Sequence, residues 1–356
     1  MQPPLDARLT YAPCVRTTGL IRAGAVVLMI AGVVSGTALG TPDDPPLAVP
    51  TDAATPPAAS QPVAAVLAPL VRDVFRLRAH GIRYSPNARN VAMRSDARGP
   101  LLLFLPATGA VPRDYRQFLN TAGDLGYHVL ALDYWNRGRS VARTCERDAN
   151  CYSDLQANRF DGSHPTRFSA IAPEDSILDR LRRALTTLDR HDPHGGWGRF
   201  AHGDHVRWGR IVVAGHSQGG GESAFIAHHH AVQGVLMFGS PVESVDGVTA
   251  AWMAHPGVTP VTRYYAFDSR RDMYADRITG SWRALHLPGR PQLLGSTPPH
   301  RLAHQLVTDR RIGDRRQSHS LFITDRGPRG HQDSPVFQKV WAAMLRAVRQ
   351  PSGIAS

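Results

Sequence analysis

Lysine is all but absent from this 356-residue chain: Lys339 is the only one, against forty arginines. The formal charge of +12 therefore rests on guanidinium groups, a usage that points to arginine-rich coding before it points to function. No basic run, zinc-finger spacing or RNA-binding aromatic motif accompanies the charge, which argues against nucleic acid as a partner. A basic balance still suits anionic surroundings such as lipid headgroups or cell-envelope polymers. Long apolar runs are equally scarce. Residues 23–40 (AGAVVLMIAGVVSGTALG) form the single one, so a polytopic helical membrane protein is excluded. Metal-binding patterns are lacking too. His228, His229 and His230 are consecutive, and on a helix neighbours fan out by about 100°, so at most two could share an ion. His191, His194, His202 and His205 fall in a Gly- and Trp-rich connection in which no carboxylate or cysteine spacing makes a recognisable metal site. No metal and no cofactor are expected.

What is present begins with an address. Arg16 and Arg22 precede the uncharged 23–40 run, which ends in small residues, the layout of a secretory signal peptide. Cleavage after Gly40 would put Ala38 and Gly40 in the signal-peptidase pockets. The alternative is an uncleaved anchor, since a run of 18 residues lies at the lower edge of spanning length. Either fate places the body outside the cytoplasm, secreted or periplasmic. Loss of residues 1–40 removes three arginines and one aspartate, lowering the charge from +12 to +10. Of three cysteines, Cys14 lies in the leader, and Cys145 and Cys151 remain as a pair that could close a small disulfide loop. Residues 41–68 are dominated by Pro, Ala and Thr and read as an extended tether. Residues 69–350 suffice for one large α/β domain.

Leu101–Leu105 (LLLFL), bounded by Gly99, Pro100 and Pro106, reads as a strand buried on both faces. Similar runs recur at 129–132, 211–214, 234–238 and 264–267. Helical stretches lie between them at 115–125 and 174–188; in the second, Ile177, Leu181, Leu185 and Leu188 share one face. A last helix is expected over 335–348. Alternating strands and helices predict a three-layer α/β/α sandwich with a mostly parallel sheet, whose ligands sit beyond the carboxyl ends of the strands.

The sharpest signal follows the 211–214 strand: Gly215, His216, Ser217, Gln218 and Gly219 fill the pattern Gly-x-Ser-x-Gly, with small residues opening a helix behind it. A serine on such a strand-to-helix turn projects its hydroxyl above the sheet, and the helix N-terminus offers N–H groups to an oxyanion. The loop after Leu105 (Pro106, Ala107, Thr108, Gly109) can supply a second donor, so the amides of Thr108 and Gln218 are the expected oxyanion hole. A carboxylate must then follow a later strand. Asp268 and Asp272 both qualify; Asp272 is preferred because it stands at the strand mouth, clear of the sheet edge. His319 and His331 both follow in Ser, Asp, His order, and position alone leaves them open.

The stretches LLLFLPATGAVPRDY, GYHVLALDYWN, EDSILDRL and GHSQGGG, with the two cysteines, resemble the α/β-hydrolase superfamily, in particular a secreted branch of serine-esterase-like members. The resemblance covers residues 100–341. It implies a Ser-His-Asp triad acting on carboxylic esters through an acyl-enzyme, and it favours His319, whose following Ser320, apolar run and Asp325 match that branch. The chain departs from the pattern at Ala107, where relatives carry glycine, and at Gly221 and Glu222, which put a carboxylate near the nucleophile's helix. Residues 134–172 are too long for a turn and are expected as an insertion over the site. Acyl transfer to an alcohol and a non-catalytic envelope-binding module are the competing functions. Substrate identity and oligomeric state are not legible.

Overall fold

The structure, a computed structural model, describes residues 69–80, 88–95, 98–295 and 302–349. The leader at 1–40 and the tether at 41–68 lie outside the described residues, as does the expected last residue of the domain, Gln350.

Nine strands form one sheet: β1 (Val71–Phe75), β2 (Asn90–Arg94), β3 (Leu101–Leu105), β4 (His128–Ala131), β5 (Ile211–His216), β6 (Gly234–Phe238), β7 (Tyr264–Ser269), β8 (Gln292–Leu293) and β9 (Gln305–Thr308). Their spatial order is β1-β2-β4-β3-β5-β6-β7-β9-β8. Only β2 runs against the rest; from β4 to β8 every pairing is parallel. The five strands expected from apolar runs are all present within two residues at each end. The edge strands β1 and β8 and their neighbours β2 and β9 were not legible: β1 and β8 are short or largely exposed, and β2 (NVAMR) and β9 (QLVT) mix polar residues into four or five positions.

Eight helices accompany them: α1 (Arg116–Asp124), α2 (Val141–Thr144), α3 (Ala149–Asp161), α4 (Ile177–His191), α5 (Gln218–His229), α6 (Ala275–Ala284), α7 (Arg315–Ser318) and α8 (Gln338–Arg349). Alternation along β3 sorts the core into two layers. Leu101, Leu103 and Leu105 join the α3, α4 and α5 side through Leu155, Leu181, Leu185 and Phe225. Leu102 and Phe104 join the α1 and α8 side through Phe118, Leu119, Trp341 and Leu345. Both faces of the central strands are therefore covered, as continuous apolar runs require. The stripe on α4 is as its spacing predicts, with Ile177, Leu181, Leu185 and Leu188 all buried.

Cys145 and Cys151 are joined by a disulfide, Cα to Cα 5.4 Å, linking the end of α2 to the first turn of α3. Asp148 caps α3 by accepting from the amides of Asn150 and Cys151. The 134–172 segment sends Val141, Tyr152, Leu155 and Phe160 into the larger layer.

Candidate active site

Ser217 and the oxyanion loop leave the carboxyl ends of β5 and β3, Asp272 follows the end of β7, and His319 caps the end of α7. Ser217 joins β5 to α5 at φ 53°, ψ −116°, a left-handed backbone that is costly for a residue with a Cβ. Its amide donates to Phe238 O at 2.8 Å, which pins the turn to β6. The flanking glycines are demanded by space. A Cβ on Gly219 would lie 2.0 Å from Leu105 O, and one on Gly215 would lie 2.2 Å from Gly219 backbone atoms. The pattern read from the sequence is thus a packing requirement of the strand-to-helix turn.

Of the two candidate histidines, His319 meets the serine: its Nε2 lies 2.8 Å from Ser217 Oγ. His319 Nδ1 lies 2.6 Å from Asp272 Oδ2. Burial alone would raise the Asp272 carboxyl, yet contacts from His319, from Asp268 and from the Tyr274 amide at 2.7 Å outweigh it and hold the group below the usual carboxylate range. An ionised Asp272 only accepts, so His319 carries its proton on Nδ1 and turns a free lone pair on Nε2 toward the serine hydroxyl. Asp268 is the complement. Burial, then the Asp272 charge beside it, pushes its carboxyl well above the ordinary range. The two aspartates singled out in the sequence are thus neighbours whose carboxyls are shifted in opposite directions. His331 is exposed in a short turn and lies apart from it.

The loop after β3 presents its amides selectively. Ala107 N–H donates to Tyr115 Oη at 3.1 Å, Gly109 N–H to Asn136 O at 2.9 Å, and Ala110 N–H to Ala107 O at 3.0 Å. The amides of Thr108 and Gln218, the two expected donors, have no partner among the described residues. Thr108 Oγ1 donates to Gln218 Oε1 at 2.8 Å, tying the loop to the start of α5. Asn136 Nδ2 donates to Ala107 O at 2.6 Å and Ala110 O at 2.8 Å, and Tyr134 Oη donates to Pro106 O at 2.8 Å.

Three residues of this apparatus escaped the sequence reading. Tyr134 and Asn136, just beyond β4, clamp the oxyanion loop. His216, the variable residue before the serine, has Nε2 2.8 Å from His319 O and Nδ1 2.9 Å from Tyr115 Oη. A carbonyl can only accept, so His216 is protonated on Nε2 and accepts from Tyr115 on Nδ1. Burial, and then the neighbouring His319, pushes its pKa down to about 3, keeping the ring neutral in this bridging role.

Glu222 lies one turn along α5, wholly buried, its carboxylate 3.7 Å from Arg159 of α3. Burial pushes it well above the usual range and Arg159 pulls it back. Nearby Glu243 accepts from Trp252 Nε1 at 2.9 Å and from Gln156 Nε2. Neither carboxylate contacts the triad.

Next to the oxyanion loop opens a cleft of about 840 Å³, lined by residues 107–110 of that loop and 113–116 and by residues between 316 and 326; it takes in His216 and Ser320, the neighbours of Ser217 and His319, while Ser217 and His319 themselves do not line it. Of the 134–172 segment, none lines this cleft, Arg137 borders the hollow that adjoins it, Tyr134 and Asn136 hold the oxyanion loop, and its apolar residues join the α3–α4–α5 layer.

A mostly parallel sheet with helices on both faces, and a serine on the turn after its central strand, define the α/β-hydrolase fold, and this chain has it. No protein-family model matches the chain, and no curated protein does. Among solved structures it is similar to a candidate dienelactone hydrolase of Klebsiella pneumoniae, at 14% identity over 79% of this chain and 99% of that one, TM-score 0.42. It is similar to esterase B of Lactobacillus rhamnosis at 10% identity over 78% and 86%, TM-score 0.40. It is also similar to fungal esterases of Rhizomucor miehei at 11% identity over 80% and 85%, TM-score 0.39. At these depths of similarity, the functional reading rests on this chain's own residues.

Proposed function

We propose that this protein is a serine hydrolase that cleaves carboxylic esters through an acyl-enzyme. The observation that carries the reading is the unbroken chain from Ser217 Oγ to His319 Nε2 (2.8 Å) and from His319 Nδ1 to Asp272 Oδ2 (2.6 Å), on a serine held in a strained turn. Ser217 and His319 each keep 9% of their surface exposed, enough to meet a substrate.

Ser217 Oγ attacks the ester carbonyl as its proton passes to His319 Nε2. The N–H groups of Thr108 and Gln218 receive the oxyanion, and Asp272 stabilises the imidazolium. The carbon–oxygen bond to the alcohol then breaks, and His319 returns the proton to the departing alkoxide. Water, giving a proton to His319, attacks the acyl-enzyme, and the bond to Ser217 Oγ breaks as His319 returns that proton to it, releasing the acid. Residues 23–40 direct export in this reading, so the exported protein should read Thr41 first on N-terminal sequencing; an unprocessed N-terminus would mark an anchor.

A fluorophosphonate probe on residues 41–356 tests the mechanism. Peptide mapping should find the adduct on Ser217, with labelling abolished in Ser217→Ala and His319→Ala and retained in His331→Ala. A well-folded protein that takes no label would overturn the proposal and favour a non-catalytic binding module.

A further inference from the structure

The cleft next to the oxyanion loop is basic in a way that the triad does not require. Arg113, Arg116, Arg316 and Arg326 line it, against two carboxylates, Asp114 and Asp325. Both carboxylates are engaged by other groups. Asp325 accepts from Arg116 Nε at 3.1 Å and from the Gln117 amide at 2.9 Å, while Asp114 accepts from the Val111 amide at 3.0 Å. Arg113, Arg316 and Arg326 are exposed and have no hydrogen-bond or ion-pair partner among the described residues. Three guanidinium groups therefore face one space, and that space ends at Thr108 and His216, the immediate neighbours of the oxyanion hole and the nucleophile.

A second hollow of about 300 Å³ adjoins the first through Arg113, which lines both. Arg76, Arg89, Arg113 and Arg137 border it, with apolar residues and no carboxylate among its lining groups. The acid beneath it, Asp133, is buried and paired to Arg180 at 3.4 Å. Across the two hollows exposed guanidinium groups outnumber the carboxylates, an excess that favours an anion, and guanidinium forks match carboxylate and phosphate oxygens.

We propose that the substrate is an anionic ester, one that bears a carboxylate or phosphate group near the scissile bond, with Arg113 and Arg316 receiving that group from opposite walls of the cleft. The proposal rests on the ester-hydrolase reading and narrows its substrate class. A single charged group occupies the cleft, and a substrate with several charges continues past Arg113 into the second hollow.

The test uses pairs of esters that differ in charge. On the acyl arm, the mono-p-nitrophenyl ester of glutaric acid is compared with p-nitrophenyl valerate. On the alcohol arm, 4-(butyryloxy)benzoate is compared with its methyl ester. In at least one arm the charged member should have a kcat/KM about tenfold higher, and 0.5 M salt should erode that advantage because exposed charges are screened over about 10 Å or less at such ionic strength. The double variant Arg113→Gln/Arg316→Gln should lose about tenfold more on the charged ester than on the neutral one, through KM. Equal or better cleavage of the neutral member in both arms overturns the proposal while leaving the hydrolase reading intact. A readout free of turnover separates the other failure. Glutarate titrated calorimetrically into Ser217→Ala should bind, and binding should vanish in the triple variant with Arg113→Gln and Arg316→Gln. Absence of glutarate binding together with no charge preference rejects the anionic site, whereas absence of fluorophosphonate labelling rejects the hydrolase reading whatever glutarate does.

Discussion

Ser217 occupies φ 53° and ψ −116°, a region that only glycine enters without strain. Such a conformation costs on the order of 1–3 kcal/mol and persists only where the surroundings impose it. Here the surroundings are the Phe238 carbonyl and the close approach of Gly219 to Leu105. Ser217→Gly should therefore be inactive yet more stable than the wild type by about 1 kcal/mol, read from denaturant midpoints. A less stable Ser217→Gly would show that the hydroxyl's bond to His319 outweighs the strain. The serine was legible because a nucleophile turn is local: five consecutive residues, a strand before and a helix after carry the whole signal. Asp272 was preferred over Asp268 from its place past the strand and His319 over His331 only through the resemblance, while the contacts themselves join residues 47 and 102 apart that only packing brings together.

At the scale of elements, the site is held by cross-links between strand ends. Tyr134 and Asn136 beyond β4 fix the loop beyond β3, and Thr108 fixes that loop to α5. His216 at the end of β5 joins Tyr115, which holds Ala107, to the backbone of His319. One neutral imidazole thus sets the oxyanion loop and the general base in a common frame. His216→Phe keeps an aromatic ring there but leaves the buried Tyr115 hydroxyl without its acceptor and the buried His319 carbonyl without its donor, which should cost about 2–4 kcal/mol of stability. It should also lower kcat at least tenfold with little change in KM, because the displaced group is the base and not a substrate contact. A His216→Phe enzyme with wild-type kcat would remove His216 from this positioning role. These clamps left no mark in the sequence: Tyr134, Asn136 and His216 are ordinary residues at strand ends, and a hydrogen bond across the sheet has no periodicity to read.

For the whole molecule, the buried acids behind α5 make stability depend on pH in an unusual direction. Glu243 is buried, and burial, opposed by its bonds from Trp252 and Gln156, moves its pKa from 4.5 to about 7. The unfolded chain releases that proton from pH 4.5 upward while the folded protein keeps it until about 7, so this group's contribution to stability falls across that interval and then levels. The loss is on the order of 3 kcal/mol. Thermal denaturation between pH 4.5 and 8 should show the decline in the wild type and a flatter profile in Glu243→Gln, whatever the variant's absolute stability. Parallel profiles for the two proteins would mean that Glu243 ionises normally.

By itself the sequence determined the layered α/β architecture, through apolar runs long enough to be buried on both faces, and the nucleophile, through glycines that the turn cannot replace. It also determined the cysteine pair, whose short separation lets a disulfide close within one local segment. Only the tertiary structure brought the aspartate and the histidine to the serine and set how the 134–172 segment packs. It also gathered arginines scattered from Arg76 to Arg326 around two adjoining hollows. These outcomes depend on burial and on distances across the sheet between residues far apart in the chain, and spacing along a chain measures neither.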